Sequence, residues 1–105
     1  MPEDLKKQIL RCVDAGMNPL GESARQSVYY HIEKVFKVRR EEIPDKPKEF
    51  IDSLRKIFGP GAETIETAIV REMEATMNLN LEDEGFVKAV EQAKKSRGLI
   101  HGSRQ

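Results

Sequence analysis

Side chains able to do chemistry are sparse in this sequence, which has one cysteine and two histidines. Cys12 with His31 as its base is the pairing that nucleophilic catalysis would need. Cys12, however, lies on the apolar face of the first predicted helix, where a cysteine is typically a small core residue. His31 and His101 are far apart in the sequence, and a single cysteine completes none of the usual zinc patterns. We therefore predict no catalytic residue, no metal site and no cofactor.

The glycine-bearing stretch Gly59-Pro60-Gly61 has the composition of a ligand-binding loop. A phosphate cradle needs several backbone amides and usually a lysine, but Pro60 removes an amide and Glu63 follows at once. The turn of a DNA-reading helix pair is the second interpretation, and the acids Glu63 and Glu66 at the start of the next helix disfavour it. We predict a structural joint, in which Gly59 ends one helix and Gly61 lets two helices approach closely.

Basic side chains cluster near the ends of two predicted helices. The candidate contacts to a partner or to nucleic acid are Lys34, Lys37, Arg39, Arg40, Lys94, Lys95 and Arg97. Basic residues at a helix C-terminus also stabilise the helix dipole, which needs no ligand. The acidic pair Glu41-Glu42 follows the first cluster directly and weakens its positive charge.

Hydrophobic periodicity predicts a compact all-α bundle of about five helices, over 2–15, 22–37, 47–58, 61–77 and 81–96. Gly16 and Gly98 are expected to stop the first and last helices, Asn78 to end the fourth, and Asn80 to cap the fifth. Helices two, three and four carry the widest apolar stripes and are expected to form the core. In helix two the stripe is Ala24, Val28, Ile32, Val35 and Phe36. We predict one domain over 1–98 and a flexible tail over 99–105.

The formal net charge is zero, which argues against a dedicated nucleic-acid binder. The charge is unevenly placed, since residues 62–84 carry seven acids and one base, and residues 86–105 carry five bases and one acid. Such a distribution favours electrostatic pairing with a partner. The lone cysteine forms no internal disulfide, and no apolar run reaches the length of a membrane span. These features predict a cytoplasmic protein that does not insert into membranes.

Several unusual residues stand at fixed spacing between positions 20 and 80. They are Leu20-Gly21, Tyr30-His31, Ile43-Pro44, Pro47 with Phe50, the joint from Phe58 to Ala62, and Ile69-Val70. In this pattern the chain resembles a small archaeal helical domain, the Nitrosopumilus output domain family. The resemblance implies a helical, non-enzymatic module that occurs alone or within archaeal signalling proteins. Helical accessory subunits of archaeal DNA polymerases are a weaker resemblance.

The leading functional prediction is an archaeal adaptor or signalling output domain that docks on a partner protein without catalysing a reaction. The alternative is a nucleic-acid-binding or DNA-replication accessory protein that uses the basic patches at the helix ends. A third prediction is a small-molecule sensor with a pocket between helices near Tyr30 and His31. The identity of the partner and the oligomeric state stay open at this stage.

Overall fold

The structure is a computed structural model that describes residues 2–82 and 84–103, with side chains as far as residue 96. It contains five α-helices: α1 (Glu3–Met17), α2 (Glu22–Phe36), α3 (Pro47–Phe58), α4 (Ala62–Met77) and α5 (Phe86–Ser103). Short 3-10 helices occupy Asn18–Leu20, Arg40–Asp45 and Gly59–Gly61. The predicted all-α bundle of about five helices is confirmed, and the described residues include no strand.

The centre of the fold is the pair formed by α1 and α4, which is the most extensive helix pair among the described residues. Gly16 is buried inside α1 and faces Ile69 of α4. A Cβ atom at Gly16 would lie 2.8 Å from the backbone nitrogen of Ile69 and 2.9 Å from its Cα. The missing side chain therefore lets the two backbones approach closely. The prediction that Gly16 stops the first helix is wrong, because α1 continues to Met17.

Helix α2 lies at the edge of the bundle rather than in its core, so the expected core of helices two, three and four is wrong. Only Val28 and Ile32 are fully buried on α2. By contrast, α1 buries seven residues, including the predicted face of Leu5, Ile9, Cys12 and Val13. The apolar stripe of α2 is wider than the surface that the other helices cover, and its remainder faces outwards.

Helices α3 and α5 complete the core, and both pack against α4 and against each other. The rings of Phe50 and Phe86 meet edge to face, with centroids 5.6 Å apart, and both side chains are fully buried. The side chain of Glu66 accepts a hydrogen bond from the amide of Phe86 at 2.8 Å and so caps the start of α5. The side chain of Glu74 accepts a hydrogen bond from the amide of Leu81 at 3.2 Å.

Those two bonds explain where α5 begins. Leu81 is buried and its amide is bound to α4, so the chain reaches Phe86 before it turns into a helix. The predicted cap at Asn80 is therefore wrong. Asn78 ends α4 in the left-handed conformation, with φ 56°, as predicted. Helix α5 continues past Gly98, which does not stop it. The tail predicted over 99–105 reaches beyond the described residues and stays a prediction.

The joint between α3 and α4 is a 3-10 turn over Gly59–Gly61. Gly59 has φ 59° and ψ −135°, a conformation that side-chain-bearing residues rarely adopt. Gly61 has φ −64°, and a Cβ atom there would meet the Cβ of Phe58 at an ordinary 3.8 Å. The joint thus needs the glycine at 59, whereas the expected need for one at 61 is wrong.

Candidate interaction surface

Exposed apolar side chains of the described residues concentrate on α2. Tyr30 is 65% exposed and Val35 is 55% exposed, and these are the two large hydrophobic residues of the described chain that are exposed. Tyr30 lies on the side of α2 opposite the buried residues Val28 and Ile32, and Val35, seven residues after Val28, lies at the edge of the buried side. The apolar surface that Tyr30 and Val35 present has no covering element within the described chain.

Tyr30 and Val35 belong to a continuous exposed face, because exposed residues recur along α2 at the three- and four-residue spacing of one helix side. We call it the outer face of α2, and it consists of Ser23, Ala24, Ser27, Tyr30, His31, Lys34 and Val35. At 3.6 residues per turn it spans about 140° of the helix circumference. None of these seven residues is acidic, and the exposed acids of α2, Glu22 and Glu33, lie outside this face.

Side-chain size changes along the outer face. The N-terminal half presents the small residues Ser23, Ala24 and Ser27, and the C-terminal half presents the larger ones. Within that half the ammonium group of Lys34 lies 5.5 Å from the centroid of the Tyr30 ring, a cation–π contact. The ring of His31 meets the Phe36 ring edge to face at 6.0 Å between centroids. The larger side chains of this half, apart from Val35, thus each contact an aromatic ring or a cation nearby.

The inner side of α2 is fixed by a network of three polar side chains from three separate segments. The Tyr29 hydroxyl donates to the Asp14 carboxylate at 2.5 Å. The Arg40 guanidinium donates to both oxygens of the same carboxylate, at 2.6 Å and 3.3 Å, and stacks 5.7 Å from the centroid of the Tyr29 ring. The network ties α1, α2 and the 3-10 helix Arg40–Asp45 together, so the outer face of α2 has a fixed orientation.

Burial and hydrogen bonding shift the pKa values of this network. Burial alone would raise the pKa of Asp14, but the hydrogen bonds from Arg40 and Tyr29 outweigh it and lower that pKa below its usual range. Burial, together with the bond to Asp14, raises the pKa of the Tyr29 phenol. The bond to Asp14 likewise raises the pKa of Arg40. At neutral pH the network is therefore an ionised carboxylate held by a neutral phenol and a cation.

Backbone geometry sets the ends of α2. Gly21 precedes it with φ 91°, and Glu22 places an acid in the first turn, where the helix dipole favours it. Lys37 ends the helix in the left-handed conformation with φ 62°, and its amide donates to the Glu33 carbonyl at 3.2 Å. Val38 then turns inwards and is buried.

The predicted contact residues fall into three groups in the structure. Lys34, Lys37 and Arg39 are exposed around the C-terminal end of α2, and Arg39 has Glu41 3.7 Å away. Arg40 is engaged by Asp14, which gives it a structural role inside the protein. Lys94 and Lys95 are exposed on α5, a different helix, and the side chain of Arg97 lies outside the described residues. The first group alone adjoins the outer face of α2.

Cys12 lies in the core, as its position on the apolar face of α1 predicts, and its sulfur is 3.2 Å from the Thr76 hydroxyl oxygen. Burial raises the pKa of the Cys12 thiol, which is opposite to the activation that a nucleophile needs. A groove of about 410 Å³ between α1 and α4 opens beside it.

Tyr30 and His31 are exposed on the outer face of α2, so they do not line the interhelical pocket that a sensor would require. The part of the chain that the structure describes holds no cluster of three or more metal-ligating side chains.

Sequence reasoning missed Asp14 and Tyr29 as partners of Arg40, because residues 26 and 11 positions away carry no local signal of their contact. The sequence does contain a signal for the outer face of α2. Ala24 and Val35 make the apolar stripe of this helix wider than one packed side of a helix requires. The sequence alone predicts that this excess belongs to the core, and the structure shows that part of it is exposed.

Comparisons with protein-family models, with curated proteins and with solved structures give no match to the chain. No helix within the described ranges combines the length and the apolar character that crossing a bilayer requires. The family resemblance in the sequence therefore stands as a prediction, and the geometry of α2 is the basis for a functional proposal.

Proposed function

We propose that this protein is a non-enzymatic docking domain that binds another protein through the outer face of α2. The observation that carries the proposal is the placement of Tyr30 and Val35, the exposed large apolar side chains of the described residues, on one helix. Exposed apolar surface rimmed by polar groups marks protein interaction sites. Tyrosine in particular is enriched among the residues that dominate binding energy at interfaces.

The surroundings of the two residues fit this role. Lys34 beside Tyr30 supplies a cation in contact with the aromatic ring, and Lys37 adds a second exposed cation at the end of the helix. The network of Asp14, Tyr29 and Arg40 anchors α2 to α1 and to the 3-10 helix Arg40–Asp45. We therefore expect that binding requires little reordering of the backbone. The resemblance to the Nitrosopumilus output domain family leads us to place this docking in an archaeal cytoplasmic adaptor or signalling output role.

Nucleic-acid binding is the weaker alternative. Among its predicted contacts Arg40 is paired with Asp14, Arg39 lies beside Glu41, and the α5 lysines belong to a different helix. A nucleic-acid site of this kind requires affinity that falls steeply with salt concentration. Fluorescence anisotropy with labelled single- and double-stranded DNA at low salt tests it, and we expect no saturable binding. Saturable, salt-dependent binding that is lost in Lys37→Glu would favour the alternative.

A capture experiment tests the docking proposal. Immobilised wild-type protein, the face variant Tyr30→Ser/Val35→Ser and the control variant Glu63→Ser/Thr67→Ser are incubated with lysate of the source organism at low salt. All four substituted side chains are exposed, so we expect the three proteins to unfold at similar temperatures. Quantitative mass spectrometry should show proteins retained by the wild type and the control and lost from the face variant. If all three immobilised proteins retain the same lysate proteins equally, docking does not use the outer face of α2.

A further inference from the structure

We propose that α2 opens away from the bundle as a unit while the rest of the bundle stays folded, and that the hydrogen bond from Tyr29 to Asp14 is the latch that holds it closed. Opening takes the outer face of α2 out of its fixed position, so the closed fraction of the chain limits docking through that face. The inference goes beyond the docking function and does not depend on it, because every measurement below uses the isolated chain.

Helix α2 has the fewest fully buried side chains among the four helices whose side chains the structure describes in full. Val28 and Ile32 are its two, whereas α1 buries seven, α4 five and α3 four. Tyr29 and Phe36 add partial burial, and ten of the 15 residues of α2 are exposed. Because segments with few buried apolar contacts open at the lowest free energy, α2 is the helix most ready to leave the bundle.

The sequence of α2 does not sustain a helix without tertiary contacts. The six consecutive residues from Ser27 to Ile32 are Ser, Val, Tyr, Tyr, His and Ile, all of which form helices less readily than Ala, Leu, Lys or Glu. Isolated helices shorter than about 12–15 residues are marginal in water even when they are rich in alanine. A detached α2 therefore melts, and the backbone entropy that it regains favours the open state.

The chain on both sides of α2 is held on the bundle independently of the helix. On the N-terminal side Leu20 packs against the core, and Gly21 with φ 91° connects it to α2. On the C-terminal side Lys37 with φ 62° forms the connection, and Val38 is buried. We infer that the opening unit begins after Gly21 and ends at Lys37, since the residues outside these limits keep their own contacts.

The latch breaks without leaving a carboxylate unpaired. Tyr29 belongs to α2 and donates to Asp14 at 2.5 Å, whereas Arg40 lies outside the opening unit and donates to the same carboxylate at 2.6 Å. Opening removes the first bond and leaves the second in place, so Asp14 keeps a charged partner. A further contact, from Arg25 to Asn18 at 2.8 Å, is exposed, and water replaces it in the open state.

Native-state hydrogen exchange of the isolated chain, resolved by NMR, tests the opening. We expect the amides of Val28 and Ile32 to be at least about a hundredfold less protected than those of Val13 and Ile69, because they exchange without global unfolding. Their exchange should also respond weakly to low concentrations of urea, since opening exposes only part of the buried surface. Equal protection at all four positions would overturn the inference.

Two variants separate the opening of α2 from global unfolding. Tyr29→Phe removes only the hydroxyl of the latch and should accelerate exchange at Ile32 about tenfold. Ile69→Val trims the contact between α4 and α1, which persists when α2 opens, and should accelerate exchange at Val13 about two- to tenfold while leaving Ile32 unchanged. Equal acceleration of Val13 and Ile32 by Ile69→Val would overturn separate opening. Unchanged exchange at Ile32 in Tyr29→Phe would overturn the assignment of the latch.

Thiol labelling gives an independent readout of the same opening. Ile32→Cys places a thiol on the buried side of α2, and Cys12 on α1 is the internal reference because it is buried in the same chain. Without denaturant, position 32 should be modified at least about a hundredfold faster than Cys12, as measured by peptide mass spectrometry. If Ile32→Cys does not fold, Val28→Cys takes its place. Equal labelling rates at the two thiols would overturn the inference.

Discussion

Replacing Gly16 by alanine is the sharpest test of the fold, because this residue sets the distance between α1 and α4. In an unconstrained helix interior the change would stabilise the protein by about 0.5–1 kcal/mol, through the lower backbone entropy of alanine. Here the new Cβ would overlap Cγ1 of Ile69 and would lie 2.8 Å from the Ile69 nitrogen and 2.9 Å from its Cα. Favourable carbon–carbon contacts begin at about 3.5 Å.

Relief of this overlap requires movement of the backbone. The Ile69 side chain can rotate away, but its nitrogen and Cα belong to α4, so the helices must separate by several tenths of an ångström. Overpacking of this kind costs about 1–3 kcal/mol, and involvement of backbone places Gly16→Ala at the upper end. After the helix-propensity gain we expect a net loss of about 2 kcal/mol, equivalent to a fall in Tm of about 8–16 °C for a domain of this size.

Urea unfolding followed by circular dichroism measures the loss, with Gly61→Ala as the matched control. Gly61 has negative φ and an open Cβ position, so its replacement should be neutral or stabilising by up to about 1 kcal/mol. A Gly16→Ala protein at least as stable as wild type would refute the close approach of α1 and α4 at this point.

Three further predictions test other parts of the structure. Gly59→Ala should destabilise by about 1–3 kcal/mol in urea unfolding, because φ 59° with ψ −135° strains a side-chain-bearing residue; an unchanged protein would contradict that conformation. Since hydrogen bonds lower the pKa of Asp14, its stabilisation is present above about pH 4 and is lost as pH falls through the lowered value. The Asp14→Asn protein should therefore be less stable than wild type at pH 7, and its free energy of unfolding should change less between pH 5 and pH 2. Parallel plots of unfolding free energy against pH for the two proteins would contradict the network. Cys12 should react with a thiol reagent at pH 7.5 only after unfolding in urea, and rapid reaction of the native protein would show an accessible thiol.

The helical class and the positions of the first four helices were predictable from the sequence because they depend on local periodicity and caps. The apolar faces of α1 and α3, the start of α3 at Pro47 and the left-handed end of α4 at Asn78 all follow from residues within one or two turns. The buried state of Cys12 follows from the same reasoning.

The arrangement of the helices was not predictable in this way, because it depends on contacts between distant residues. Gly16 has the composition of a helix stop, and only Ile69 on α4 turns it into a packing residue. The beginning of α5 depends on carboxylates of α4, of which Glu66 caps Phe86. In the sequence Arg40 has the signal of a free cation after a helix end, and only the tertiary structure brings Asp14 beside it.

The candidate site was predictable only in part. The sequence marked Lys34 and Lys37 through their charge, and it marked Ala24 and Val35 as apolar. The sequence did not distinguish the buried side of α2 from its outer face, because the apolar stripe of α2 includes residues of both. The separation depends on how much of α2 the remaining helices cover, which is a property of the tertiary structure alone.

The most direct test of the docking surface is site-specific photo-crosslinking from the outer face of α2. Tyr30 is replaced by p-benzoylphenylalanine, which keeps an aromatic ring at that position, and Thr67 on the exposed side of α4 receives the same residue as control. Irradiation in concentrated lysate should give a discrete adduct from position 30 and none from position 67, and an adduct of twice the 12.0 kDa chain mass would identify a second copy. Adducts from position 67 in the absence of any from position 30 would contradict the assignment of the docking surface to α2.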